Sequence, residues 1–147
     1  RELVRLVDAV VWRLRKSDQK CRTISLKVRY PDFTTLSRSY TFSQATALSS
    51  QMIEEAKTLL NGLDLTPGIR LLGVAVTNFD RDATEQLKLG EDPVSVWENM
   101  EGAVESVRDR FGVSSIGPAS MLGSRGMRVK RKGEQQWGPD KDVQLEK

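Results

Sequence analysis

Between residues 21 and 30 the chain changes side with every residue. Ile24, Leu26, Val28 and Tyr30 fall on one side, and Thr23, Ser25, Lys27 and Arg29 on the other. Successive side chains of an extended chain point to opposite faces, so this period of two predicts a strand with one buried and one open face. Pro31-Asp32 reads as a turn. Alternation resumes over 34–42, where Leu36, Tyr40 and Phe42 share a side with Arg38, opposite Thr35, Ser37, Ser39 and Thr41. The short connection predicts an antiparallel hairpin. A hairpin cannot bury its apolar side unaided, so other elements must cover it.

The flanking sequence offers such covers. Leu3, Leu6, Val7, Val10 and Leu14 recur at three and four, predicting an amphipathic helix over 2–16. Ser43 is the expected cap of a second helix, with Leu48, Met52, Ala56, Leu59, Leu60 and Leu63 on its buried stripe and an end near Asn61-Gly62. After Thr66-Pro67-Gly68, residues 69–79 read as a further strand with Leu72, Val74 and Val76 inward and Gly73, Ala75 and Thr77 outward. Asp92-Pro93 looks like a cap and first helical proline. Trp97, Met100, Val104, Val107 and Phe111 then mark a third helix closed by Gly112, a stripe of the kind that usually packs into a core. Glycines and prolines interrupt residues 113–147, which read as loop or tail. The expected fold class is α+β, a small mostly antiparallel sheet with two helices on one face, plus a C-terminal helix and irregular tail. The expected organisation is a domain over 1–79, an acidic linker over 80–92, and a helix with a basic flexible tail over 93–147.

Composition narrows the function. Hydrophobic residues make up 38% and charged residues 29% of the 147, suiting one domain of ordinary size with a soluble surface. No apolar run approaches the roughly 20 residues of a membrane span, and no signal peptide is evident. With no histidine, histidine triads and most zinc sites are excluded. The single cysteine, Cys21, forms no internal disulfide, which fits a reducing cytoplasm. A first residue of Arg1, leading directly into helical periodicity, reads as an excised piece. Charge is segregated: residues 1–30 carry 9 Lys and Arg against 3 Asp and Glu, residues 80–109 carry 3 against 9, and residues 110–147 carry 8 against 4. A basic front and tail around an acidic middle suggest a polyanion-binding domain with an appendage.

The open side is made of short hydroxyls, Gly73 and Ala75, with a few long cations and no stacking aromatics. Small side chains let a phosphate backbone approach main-chain amides, while Lys27, Arg29 and the nearby Arg22 and Arg38 supply salt-dependent attraction. Sheets that read single-stranded RNA present aromatics instead. Ser and Thr are also simply good solvent-facing strand residues, and that reading carries comparable weight.

Arg22 through Tyr30, Asp32-Phe33, Ser37 through Phe42 and Ile69 through Val76 occur in an order and separation that resemble the little-finger domain of Y-family translesion DNA polymerases, in particular the bacterial DNA polymerase IV branch. Val107 through Gly112 and Gln136 through Pro139 match less specifically. The resemblance implies a non-catalytic domain that lays its sheet along DNA and holds template and primer backbones. Its parent would be a DNA-directed DNA polymerase, with catalytic carboxylates and magnesium in a palm domain that nothing here matches; this piece alone is expected to be inactive and to hold no cofactor or metal. By the same resemblance the DNA-facing positions are Arg22, Thr23, Ser25, Lys27, Arg29, Ser37, Arg38, Ser39, Arg70, Gly73 and Ala75. Alternation places Arg38 on the apolar side, where it either reaches a phosphate from a strand edge or covers the helix layer.

Past the last strand, Glu85-Gln86-Leu87-Lys88-Leu89-Gly90 is similar to the short peptide by which such polymerases bind the sliding clamp. Gln86, Leu87 and Leu89 match it; Gly90 stands where phenylalanine is common, and Glu91 follows where a hydrophobic residue is usual. A glutamine amide at a rim and two leucines in an apolar pocket make a peptide-in-groove contact. Arg125, Arg128, Lys130, Arg131 and Lys132 either add DNA affinity or form a solvated tail. Three other readings are an RNA- or ribosome-binding α/β module, a clamp-binding adaptor without DNA affinity, and a small enzyme. The absence of strand aromatics disfavours the first, and the absence of histidine and of a glycine-rich phosphate loop disfavours the last.

Overall fold

In the computed structural model, which describes residues 1–80, 93–123 and 126–127, the alternating run becomes the centre of the sheet. β1 (Lys20–Arg29) lies between β2 (Thr35–Thr46) and β3 (Leu71–Asp80), in the order β2-β1-β3, and both neighbours run antiparallel to it. Its apolar side chains are among the most enclosed of the described residues: Ile24, Leu26 and Val28 are at most 1% exposed. They meet helix α1 (Glu2–Lys16), which buries Leu3, Leu6, Val7, Val11 and Leu14, and helix α2 (Ser49–Asn61), which buries Met52 and Ala56. Two amphipathic helices therefore cover one side of an α+β fold, as the periodicities require.

Three details depart from expectation. β2 runs on to Thr46, so Ser43 lies in the strand and caps nothing. Between the pairs Thr23↔Thr41 and Cys21↔Thr46, β1 advances two residues and β2 five, and the extra residues delay the helix. Thr46 makes the transition instead: its hydroxyl accepts the Leu48 amide at 3.1 Å and donates to Gln51 Oε1 at 2.9 Å. Beyond α3 (Pro93–Phe111), the stretch 113–147 expected as loop or tail holds, among its described residues, a 3-10 turn, Ala119–Met121, and a ladder of two-residue strands, β4 (Leu122–Gly123) and β5 (Gly126–Met127). Gly112 closes α3 with φ of +93°, a conformation glycine adopts without a Cβ penalty.

The third departure concerns how α3 is held. Its stripe is not core: Trp97 is 48%, Met100 49% and Phe111 67% exposed. The helix stands off α1 and α2 across a cavity of about 400 Å³ lined by Val11, Trp12, Ile53, Trp97, Met100 and Val104. Ion pairs span the gap instead. Arg15 meets Glu101 and Glu105, each at 2.6 Å, Lys16 meets Asp109 at 3.2 Å, and Lys20 meets Glu98 at 3.0 Å. Hydrophobic spacing marked the helix correctly, but the acids between those positions dock it.

Glu101 also finishes α2. The residue before that helix, Leu48, offers no side-chain cap, and Glu101 accepts from the half-buried Ser49 amide at 2.8 Å. Burial holds the Glu101 carboxyl above the ordinary carboxylate range despite the opposing pull of the Ser49 bonds and Arg15. Asp92, the expected cap of α3, lies outside the described residues, as do Arg125, Arg128, Lys130, Arg131 and Lys132.

Candidate nucleic-acid interface

Register aligns the open side of the sheet into four rows. From β2 through β1 to β3 they are Thr41-Thr23-Thr77, Ser39-Ser25-Ala75, Ser37-Lys27-Gly73 and Thr35-Arg29-Leu71. No helix of the described residues packs on this side, because α1 and α2 occupy the other. The two middle rows carry four short side chains, a glycine and a single exposed lysine. They make a shallow lane in which main-chain groups are close to the surface. Gly73 deepens it: a Cβ there would come no nearer than 3.9 Å to any atom, so the fold does not itself demand glycine.

The sequence-predicted positions separate into groups. Ser25, Lys27, Arg29, Ser37, Ser39, Gly73 and Ala75 share this face. Thr23 belongs to it by register but is 7% exposed, and its hydroxyl is already engaged, sharing a 3.1 Å bond with Thr41 and accepting from Asn78 Nδ2 at 2.8 Å. Arg22 sits at the bulge between Cys21 and Thr23, exposed, with its guanidinium 3.6 Å from the Asp80 carboxylate. Arg38 pairs with Leu26 in the ladder and so points to the helix side, yet it is exposed on the edge strand and donates to the Ser37 carbonyl at 3.2 Å. Arg70 lies just before β3, its amide donating to the Arg29 carbonyl at 2.8 Å and its guanidinium stacked over Phe33. Gln86, Leu87 and Leu89 lie outside the described residues.

The cations of the basic front thus divide by task. Arg15, Lys16 and Lys20 face the acids of α3, whereas no described carboxylate pairs with Lys27, Arg29, Arg38 or Arg70. Arg29 is steered along the face by its own neighbour, with Nε donating to Thr35 Oγ1 at 2.9 Å. Cys21 is fully buried beside this end of β1 and burial pushes its thiol up to about 11, which leaves it protonated and unreactive. Among the described residues no cluster of three or more Cys, Asp and Glu side chains could hold a metal ion. No described helix is long and apolar enough to cross a membrane.

The resulting surface is a two-layer domain with a small-residue lane and unpaired cations on its uncovered side. Residues 1–89 match the family model described as the impB/mucB/samB family C-terminal domain. The chain belongs to this family. Its curated relatives carry the name DNA polymerase IV. One from Streptomyces coelicolor is 45% identical over 86 residues, covering 58% of this chain and 18% of the relative. One from Dehalococcoides mccartyi is 28% identical over 114 residues, covering 76% and 28%. One from Acetivibrio thermocellus is 29% identical over 126 residues, covering 83% and 32%. The chain spans less than a third of the length of these relatives. The impB/mucB/samB match includes the whole sheet, both covering helices and the stretch holding Gln86, Leu87 and Leu89, and stops before α3.

Proposed function

We propose that this chain is the DNA-gripping part of an error-prone translesion DNA polymerase, and that the phosphate backbones of template and primer lie against the uncovered face of β2-β1-β3. The observation that carries the reading is the Ser37-Lys27-Gly73 row. There a lysine without a carboxylate partner stands between a serine and a glycine that both leave the backbone accessible. Such a face fits phosphate contacts, which position a protein without reading bases. Nucleotide addition would be performed elsewhere in a longer polypeptide, where a palm would hold magnesium; this domain would keep the duplex in register while a damaged template passes. The peptide Gln86-Leu87-Lys88-Leu89 would tether the polymerase to the sliding clamp, a role supported by its sequence pattern and its place after β3.

The test is a titration of labelled primer-template at two ionic strengths. Binding should weaken steeply with salt, show little sequence preference, and fall when Lys27, Arg29 and Arg38 are replaced together. Affinity indifferent to salt would defeat the reading. Immobilised clamp should capture the chain, and the replacement Gln86→Ala/Leu87→Ala/Leu89→Ala should abolish capture.

A further inference from the structure

The tip of the β1–β2 hairpin carries a feature that backbone gripping does not use. Phe33 is 63% exposed and has φ of +68°, a left-handed conformation that a bulky side chain rarely adopts. The turn around it is closely determined. The Phe33 amide donates to the Tyr30 carbonyl at 3.0 Å, the Tyr30 amide to the Thr34 carbonyl at 2.9 Å, and Asp32 accepts the amide and hydroxyl of Thr34, both at 2.9 Å. Unfavourable backbone of this kind persists where surrounding bonds fix it, and it concentrates at functional sites.

The ring so presented is supported from one side. The Arg70 guanidinium lies 4.7 Å from its centroid, a cation–π contact that orients the aromatic plane and leaves most of the residue in solvent. The tip is also joined to the phosphate-facing surface: Arg29 Nε donates to Thr35 Oγ1, which in turn lies 3.4 Å from the Phe33 carbonyl. An aromatic plane braced by arginine at the end of a cationic lane has the chemistry of a stacking platform for an unpaired base, since every base offers a π face. A packing role would bury the ring, and a role in hairpin closure would not need an aromatic in a left-handed turn.

We infer that Phe33, held by Arg70, stacks on an unpaired nucleobase of a DNA strand where it leaves the duplex gripped by the sheet. This rests on the proposed DNA-binding function and adds a single-stranded subsite to it. The test uses the whole chain with two DNAs, a blunt duplex and the same duplex carrying a short single-stranded extension with 2-aminopurine beside the junction.

The unaltered chain should quench the probe and bind the extended DNA more tightly than the blunt one, on the order of tenfold. Phe33→Gly removes the ring while suiting the positive φ, so folding is not at risk. It and Phe33→Leu should lose the quench and the preference, with blunt-duplex affinity and its salt dependence unchanged. Phe33→Trp should restore both. Quenching that survives Phe33→Gly, or a preference absent from the unaltered chain while blunt duplex still binds, overturns the stacking site and leaves the backbone-gripping function standing. Failure to bind blunt duplex at all overturns both.

Discussion

Arg108, near the end of α3, donates to the carboxylate of Asp8 in α1 at 3.0 Å, with the two side chains only 7% and 10% exposed. Its Nε also donates to the Ile116 carbonyl at 2.9 Å, so one guanidinium binds α3 both to α1 and to the segment that follows it. The other bridges to α3 are more exposed; Lys16–Asp109, at 57% and 65%, contributes little in water.

Replacing Arg108 by alanine strands the Asp8 carboxylate in a buried setting. Breaking a buried pair from one side costs about 3–5 kcal/mol. Here α3 can move aside and admit water, so a loss of about 3 kcal/mol is expected, with brighter solvent contact at Trp97. Urea titration followed by tryptophan fluorescence measures both. The paired change Asp8→Leu/Arg108→Leu should restore much of the loss, since well-packed apolar residues often substitute for a buried ion pair.

Glu101 makes a separable prediction. Glu101→Ala removes the acceptor for the Ser49 amide and should cost about 1 kcal/mol, as loss of a helix cap does. Glu101→Gln keeps an amide oxygen for Ser49 and should cost less at neutral pH. The pH response should differ too. Because burial raises the Glu101 pKa, the folded chain takes up this proton at a higher pH than the unfolded chain. Its contribution therefore favours the fold in acid and declines as pH rises from the ordinary glutamate value, about 4.3, through the raised one. A glutamine cannot titrate, so the difference in stability between the two chains should shift in that direction across the window. Denaturation midpoints at several pH values measure it.

How much of this was readable in advance follows from which forces act locally. Alternation over 21–30 located the central strand because both neighbours pair with it, so every second residue meets either helices or solvent. The start of α2 was misread because Ser43 is a good capping residue by type, while the acceptor at that helix end comes from Glu101, 52 residues away. The Trp97-Met100 stripe was misread for a related reason: spacing reveals a helix face, but not the Arg15 and Lys16 side chains on α1 that hold it. In the interface, register put Ser25, Lys27, Gly73 and Ala75 together as alternation implied. It left Arg22 at a bulge beside Asp80, and nothing in the sequence showed that Thr23 would be closed off by Thr41 and Asn78. The aromatic at the hairpin tip had a signal, an exposed phenylalanine in a turn, but its arginine partner lies 37 residues on.

Two cations of β1 should contribute differently to the proposed DNA binding. Lys27 stands on the lane with no carboxylate partner, whereas Arg22, at the bulge before Thr23, is paired with Asp80. Lys27→Ala should lower the slope of log affinity against log salt by about one, the effect of losing one phosphate contact. Arg22→Ala should leave that slope nearly unchanged. Equal changes for both would mean that the affinity comes from diffuse charge and not from the face.

Gly73 separates the needs of the fold from those of a ligand. A Cβ at this position would sit 3.9 Å from the Leu71 and Lys27 side chains and from the Lys27 carbonyl, ordinary contact distances, and its backbone has no positive φ. Alanine loses less chain entropy than glycine on folding, so Gly73→Ala should leave the chain as stable or raise its stability by up to about 1 kcal/mol. The same methyl would stand in the lane between Lys27 and the approaching backbone and hold a phosphate away from the main chain. Affinity for duplex should therefore fall while the melting temperature holds, and Gly73→Val should weaken binding further, although a β-branched residue suits a strand. Melting curves and duplex titrations on the same samples measure the two effects. A Gly73→Val chain that is stable and binds duplex as tightly as before would show that DNA does not approach the sheet through the Ser37-Lys27-Gly73 row.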